Sequence, residues 1–121
     1  MSQSELFEEV EGVADFEKLI QDNQITLVDF GASWCGPCKE IYPKLLQLAS
    51  NPSYQGVKYL KVDVDDGSEI VEDYPVEKLP TVVLYHKAKE VFRTKGASNQ
   101  VLEDIKKELR GLLAKNQDND F

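Results

Sequence analysis

ITLVDFGASWCGPCKEIYPKLLQLAS, residues 25–50, changes its period halfway along. Ile25 to Phe30 is β-prone and reads as a buried strand with one misfit, Asp29. From residue 36 onward the apolar positions Ile41, Leu45, Leu48 and Ala49 fall on one helical stripe. Pro37 suits a first helical turn, where its missing N–H is harmless. Pro43 is an interior position and should kink the helix. A strand therefore feeds a helix through the short turn Ala32 to Trp34, and Cys35 stands where the helix opens.

The same alternation continues outward. Phe7 to Val10 is a short strand candidate, and Val13 to Asp22 is an amphipathic helix with Val13, Phe16, Leu19 and Ile20 on one face. After a loop over Asn51 to Gly56, Val57 to Val64 alternates as a strand. Ser68 to Tyr74 is a helical piece that must stop before Pro75. Thr81 to Tyr85 and Glu90 to Thr94 read as a hairpin ended by Gly96. Lys87, Ala88 and Lys89 must make its turn without glycine, which predicts a longer or non-primed turn. Ser98 caps a last helix carrying Val101, Leu102, Ile105, Leu109, Leu112 and Leu113. The order β-α-β-α-β-α-β-β-α predicts a three-layer α/β/α domain: parallel crossover strands first, then a C-terminal antiparallel hairpin.

At 121 residues and 13.7 kDa, with 41% hydrophobic residues, the chain suits one core. The expected domain spans 1–114, with 115–121 as a polar, flexible tail. A net charge of −8 repels phosphate backbones and anionic lipid, which argues against nucleic-acid and membrane-surface roles. No apolar run is long enough to span a bilayer. Met1 to Glu11 has neither a basic start nor an apolar stretch, so the expectation is a cytoplasmic protein.

The only cysteines, Cys35 and Cys38, lie one helical turn apart. A thiolate at a helix N-terminus is favoured by the macrodipole and the free N–H groups, which makes Cys35 the candidate nucleophile. Cys38, one turn deeper, can attack the mixed disulfide that Cys35 forms. Half a zinc site is the rival reading, but it fails on ligand count: the chain adds one histidine, His86, on the distant hairpin. A structural staple closing so short a loop would gain little. Asp29 is either a strand-end acid reaching solvent or a buried carboxyl whose raised pKa suits proton transfer.

Trp34-Cys35-Gly36-Pro37-Cys38-Lys39, preceded by Val28-Asp29-Phe30, resembles the thioredoxin family. Pro43, the run Lys61 to Asp66, Leu79-Pro80-Thr81 and Gly96-Ala97 extend the resemblance over roughly residues 5 to 114. The resemblance implies the thioredoxin fold and roles for particular residues. Cys35 would be the exposed attacking thiol, Cys38 the buried resolving thiol, and Asp29 its proton partner, tuned by Lys61. Pro80 would be cis and face the cysteines, keeping metals away. Trp34, Gly36, Pro37, Leu79, Pro80, Gly96 and Ala97 would form the substrate groove.

The implied activity is protein-disulfide reduction, with no bound cofactor beyond the Cys35–Cys38 disulfide/dithiol and with no metal. Implied partners are a thioredoxin reductase, fed by a nicotinamide or ferredoxin, and clients such as peroxiredoxin, ribonucleotide reductase or methionine sulfoxide reductase; the chain would be a monomer. The alternatives are a disulfide isomerase, or a binding module that uses the groove without the redox switch. The chain also departs from the family pattern at Gly31, Lys78 and Pro75. Gly31 stands where a bulky residue is usual, which predicts a wider groove or a looser backbone. Lys78 places a cation near Cys35, and Pro75 replaces a frequent glycine.

Overall fold

The computed structural model describes residues 3–118. After a 3-10 turn at Gln3–Leu6, the elements are β1 (Phe7–Glu9), α1 (Val13–Asp22), β2 (Ile25–Gly31), α2 (Gly36–Ser50), β3 (Lys58–Asp63), α3 (Ser68–Asp73), β4 (Thr81–His86), β5 (Lys89–Lys95) and α4 (Asn99–Asp118), with a second 3-10 turn at Pro52–Tyr54. The five strands form one mixed sheet in the order β1-β3-β2-β4-β5. Strand β3 is parallel to both β1 and β2, while β4 is antiparallel to both β2 and β5. This is the expected α/β architecture, with β2 at the centre.

Period-2 alternation along β2 sorts its side chains between two cores. Ile25 and Leu27 join Ile41, Leu45 and Leu48 of α2 and Ile105 and Leu109 of α4. Val28 and Phe30 join Phe16 and Ile20 of α1 and Ile70 of α3. Helices thus cover both faces, because every residue of β2 is buried. Asp29 has the parity of Leu27 and Gly31, which places it on the face that α2 covers. That carboxyl is almost wholly buried there.

Ser98 caps α4 as expected: its hydroxyl accepts from the Val101 N–H at 3.2 Å. Helix α4 runs on to Asp118, so residues 115–118, expected in a tail, are helical. The remainder of that tail, 119–121, lies outside the described residues.

The hairpin corrects one expectation. His86 pairs with Lys89, leaving Lys87 and Ala88 as a two-residue turn, and both have positive φ, 53° and 70°. That is the primed geometry, adopted here without glycine. The Lys87 N–H donates to the Gln24 carbonyl at 2.9 Å, so a tertiary bond holds the turn where local preference does not.

Candidate active site

Helix α2 begins one residue after Cys35, which is its N-cap with extended backbone (φ −92°, ψ 112°). Cys35 and Cys38 form a disulfide with Cα atoms 5.3 Å apart. The Cys38 backbone N–H donates to Cys35 Sγ at 3.2 Å. The first sulfur therefore occupies the place where an oxygen commonly caps a helix, and the unpaired N–H groups there favour negative charge on it. Pro37 sits in the first turn, where no N–H is required.

The expected contrast in exposure between the two cysteines is absent: both residues are buried, Cys35 6% exposed and Cys38 8%. Gly31 lies against Cys38. A Cβ there would sit 3.2 Å from Cys38 Sγ, so the strand passes close to the sulfur and puts no side chain over it. Gly31 is regular strand, paired with Asp63, so its backbone is not loosened. The room it leaves belongs to Cys38 rather than to the groove beside Cys35.

Each sulfur opens onto its own cavity. Cys35 lines one of about 700 Å³, walled by Trp34, Gly36, Pro37, Val64, Leu79 and neighbours that include Val71, Val76, Glu77 and Lys78. Cys38 lines another of about 450 Å³, with Asp29, Gly31, Lys39, Tyr42 and Lys61 among its walls. The first is largely aliphatic with a charged rim. The second carries carboxyl, ammonium and phenol groups.

Asp29 is 2% exposed, and its Oδ1 has no hydrogen-bond partner. Burial pushes its pKa up to about 7, and the Lys61 ammonium partly opposes the shift. Lys61 lies directly across from Asp29 in the β2–β3 register. Its Nζ sits 4.1 Å above the centroid of the Tyr42 ring, a cation–π contact that holds the ammonium on the α2 side.

Trp34 is 68% exposed, yet anchored: its indole N–H donates to Asp65 at 2.9 Å. Asp65 is itself fixed by its own N–H to Asp63 Oδ1, at 2.8 Å. Lys78 lies on the cavity rim beside Cys35, as expected. The Leu79–Pro80 peptide is cis, and Leu79 packs against the cluster of Ala32, Cys35 and Cys38.

Pro80, Gly96 and Ala97 are not walls of the Cys35 cavity. The Gly96 N–H donates to the Pro80 carbonyl at 2.9 Å, and Gly96 has positive φ, 97°, which places it at the end of β5. Ala97 packs on the core between the sheet and α2 and α4. Sequence reading also missed Asp65, Val71 and Val76. Pro75, which ends α3 and starts the loop carrying Val76, is the signal that could have marked that wall. His86 meets Asn116 at 3.0 Å on the distant hairpin and takes no part in the site. Among the described residues no cluster of His, Cys, Asp or Glu is arranged to hold a metal, and no helix is long and apolar enough to cross a membrane.

The comparisons with known proteins agree with this geometry. The family model described as Thioredoxin matches residues 8–110. Thioredoxin H2 of Arabidopsis thaliana is 36% identical over 95 residues, 78% of this chain and 70% of that one. The crystallographic thioredoxin of Fasciola hepatica is 39% identical with a TM-score of 0.75, covering 82% of this chain and 95% of that one. The oxidized mitochondrial thioredoxin 3 of Saccharomyces cerevisiae is 32% identical with a TM-score of 0.79, covering 88% and 99%.

Proposed function

The chain belongs to the thioredoxin family and is a thiol–disulfide oxidoreductase that reduces protein disulfides, and from that premise we propose how its residues divide the work. The observation that supports the reading best is the N-cap position of Cys35, whose Sγ accepts the Cys38 N–H beside a buried carboxyl. In the dithiol, Cys35 is the thiolate held by the helix end. It attacks a client disulfide, forming a mixed disulfide and releasing the client's other sulfur as a thiolate. Cys38 then attacks Cys35 Sγ, which frees the second client sulfur and closes the Cys35–Cys38 bond. Asp29 takes the Cys38 proton as that attack begins; with its pKa near 7 it can both accept and return a proton at neutral pH. Lys61 moderates that affinity through its charge.

The client strand occupies the cavity at Trp34, Gly36, Pro37 and Leu79, where Val64, Val71 and Val76 give apolar contact. Pro80, Gly96 and Ala97 extend the client groove beyond that cavity. Residues 1–114 act as one domain in this reading, and the chain works as a monomer in the cytoplasm, in cell redox homeostasis. A thioredoxin reductase restores the dithiol. The clients include peroxiredoxins, ribonucleotide reductase and methionine sulfoxide reductase. A solved structure concerning the thiol-resolving mechanism of a yeast mitochondrial peroxiredoxin, whose matched chain is 31% identical, supports the first of these. The test is the reduction potential of the Cys35–Cys38 couple, followed by Trp34 fluorescence in redox buffers. The expected value is about −270 mV, which is the known potential of thioredoxin itself, carried over to this chain by family membership. A potential near about −180 mV makes the chain an oxidant or isomerase, and no reversible couple makes it a binding module.

A further inference from the structure

One wall of the client cavity has no regular structure of its own. Val76, Glu77, Lys78 and Leu79 line that cavity from the stretch between α3 and β4. Pro75, just before them, has no N–H to donate. Among the described residues, none of the N–H groups of residues 76–79 donates to a backbone carbonyl. The stretch is tied through its acceptors instead. The Lys78 carbonyl accepts from the Thr81 hydroxyl, and the Pro80 carbonyl from the Gly96 N–H. At the start of the wall the ties come from two side chains of β5. Lys95 Nζ meets the Glu77 carboxylate at 3.0 Å, but those side chains are 44% and 85% exposed, so water competes for both. Arg93 is less exposed, 27%, and its Nη1 donates to the Pro75 carbonyl at 3.0 Å. Its Nε and Nη2 donate to the two Glu90 oxygens at 2.9 and 2.8 Å, a fork that fixes the plane of the guanidinium. Hydrogen bonding from Arg93 in turn holds the Glu90 carboxyl below the usual carboxylate range. Resting on the reading of that cavity as the client groove, we infer that Glu90 and Arg93 form a clamp on Pro75, and that Arg93 is a positioning residue for the reduction of protein clients.

The backbone is shaped to make this clamp. Residues three apart on a regular strand point to opposite faces. Here Tyr85 pairs with Glu90, but Leu84 pairs with Phe92, so Val91 is an extra residue in β5. Val91 is turned out, 48% exposed. The bulge brings Arg93, the partner of Val83, back to the face that Glu90 occupies. Val83 and Tyr85 both belong to the core that α1 and α3 cover, and Pro75 follows the end of α3. The bulge thus aims a carboxylate and a guanidinium together at the start of the cavity wall, from an edge strand with no residue of its own on the cavity. A protein client spreads across that wall and binds best when the wall is already in place. A small disulfide needs only Cys35. Loss of the clamp therefore shows in client binding and leaves the exchange step itself intact.

The experiment mixes the full chain in its dithiol form with excess insulin and follows its oxidation by Trp34 fluorescence. Neutral hydroxyethyl disulfide is run in parallel. Arg93→Ala should raise the half-saturation concentration for insulin by about fivefold, while the limiting rate and the rate with hydroxyethyl disulfide stay within about 1.5-fold. Glu90→Ala removes the opposite charge and should shift the insulin constant in the same direction by a smaller factor, because the guanidinium keeps its carbonyl bond and loses its fork. Arg93→Lys keeps the charge without the planar fork and should show most of the loss. Amide order parameters of Val76, Glu77 and Lys78 should fall below the rigid value of about 0.85 in Arg93→Ala, while those of β2 hold it. If Arg93→Ala does not fold, Glu90→Ala and Arg93→Lys carry the test. Opposite shifts in Arg93→Ala and Glu90→Ala overturn the clamp in favour of a charge effect. An unchanged insulin constant in the folded variants overturns it too, as does an equal slowing with hydroxyethyl disulfide. If wild type reduces insulin and the variants match it, the clamp alone falls. If wild type leaves insulin intact, the proposed function falls and the clamp's part in it falls with it.

Discussion

The two sides of the Cys35–Cys38 bond differ in kind. Toward Trp34 the walls are Val64, Val71, Val76 and Leu79, a surface suited to another chain's apolar side chains. Toward Asp29 the walls are the carboxyls of Glu9 and Asp63, the ammonium groups of Lys39 and Lys61 and the Tyr42 phenol, set around an Asp29 oxygen with no partner. One disulfide thus separates a recognition surface from a proton-handling one. The difference arises from parity on a single strand and the turn that follows it. Asp29 and Gly31 point to the α2 face of β2, whereas Trp34 lies beyond the strand's end and turns outward to Asp65.

The strongest way to break this comparison is to remove one sulfur at a time. Cys35→Ser and Cys38→Ser should both reduce insulin turnover to background. They should differ in what they capture. Cys38→Ser leaves the helix-capping thiolate with no sulfur to resolve its adducts, so it should hold protein clients as stable mixed disulfides. Cys35→Ser should not. Protein clients accumulating instead through Cys38 would show that the two sides had been assigned the wrong way round.

Asp29 supplies the next largest effect, and its sign is fixed by where the proton sits. In the folded, oxidised chain the carboxyl keeps its proton up to about pH 7. Unfolded, it loses that proton in the ordinary carboxylate range. Between those limits the folded state binds more protons than the unfolded state, so this group's contribution to stability falls as pH rises and levels off above 7. Asp29→Asn abolishes that dependence. It should stabilise the oxidised protein at pH 8 by up to about 4 kcal/mol and by far less at pH 4, read from urea unfolding. It should also slow release of trapped client at neutral pH. An equal gain at both pH values would mean that Asp29 does not titrate in this window.

Much of this architecture is legible in the sequence. The limits of α1 and α2 follow from amphipathic spacing and from Pro37 at the first turn, which are local signals. Asp29 is legible as the misfit of β2, but the residues leave a solvent-reaching acid and a buried carboxyl both open, and the structure gives the buried one. What is not legible depends on contacts distant in sequence. The Lys87–Ala88 turn is primed because its N–H reaches Gln24. Trp34 finds Asp65, 31 residues on. Gly31 reads locally as a gap in the client groove, and only the packing of α2 on β2 shows that the gap lies over Cys38.

Lys61→Met sharpens the Asp29 side by a smaller step. The ammonium opposes the effect of burial on Asp29, so removing it should lift that carboxyl's pKa further. The fall in stability with pH should then extend to higher pH than in wild type. Tyr42→Leu should move the profile in the same direction but less, because it removes only the ring that positions the ammonium. A profile unmoved by either change would leave burial as the sole control on Asp29.

The smallest effect belongs to the Trp34 side, at Lys78. Its ammonium stands on the rim of the client cavity in a chain of net charge −8, so it is a local cation on an acidic protein. Such a charge acts on encounter more than on the bound state, and salt screens it within about 10 Å at 0.1 M. Lys78→Ala should therefore leave stability and turnover with a small neutral disulfide unchanged. It should slow reduction of an acidic client by about two- to threefold at low salt, and the difference should vanish by about 0.5 M salt. The pH dependence set by Asp29 belongs to the opposite side and should not respond. If Lys78→Ala moved that pH dependence as well, the two cavities would share one electrostatic field, and the division between the two sides of the disulfide would fail.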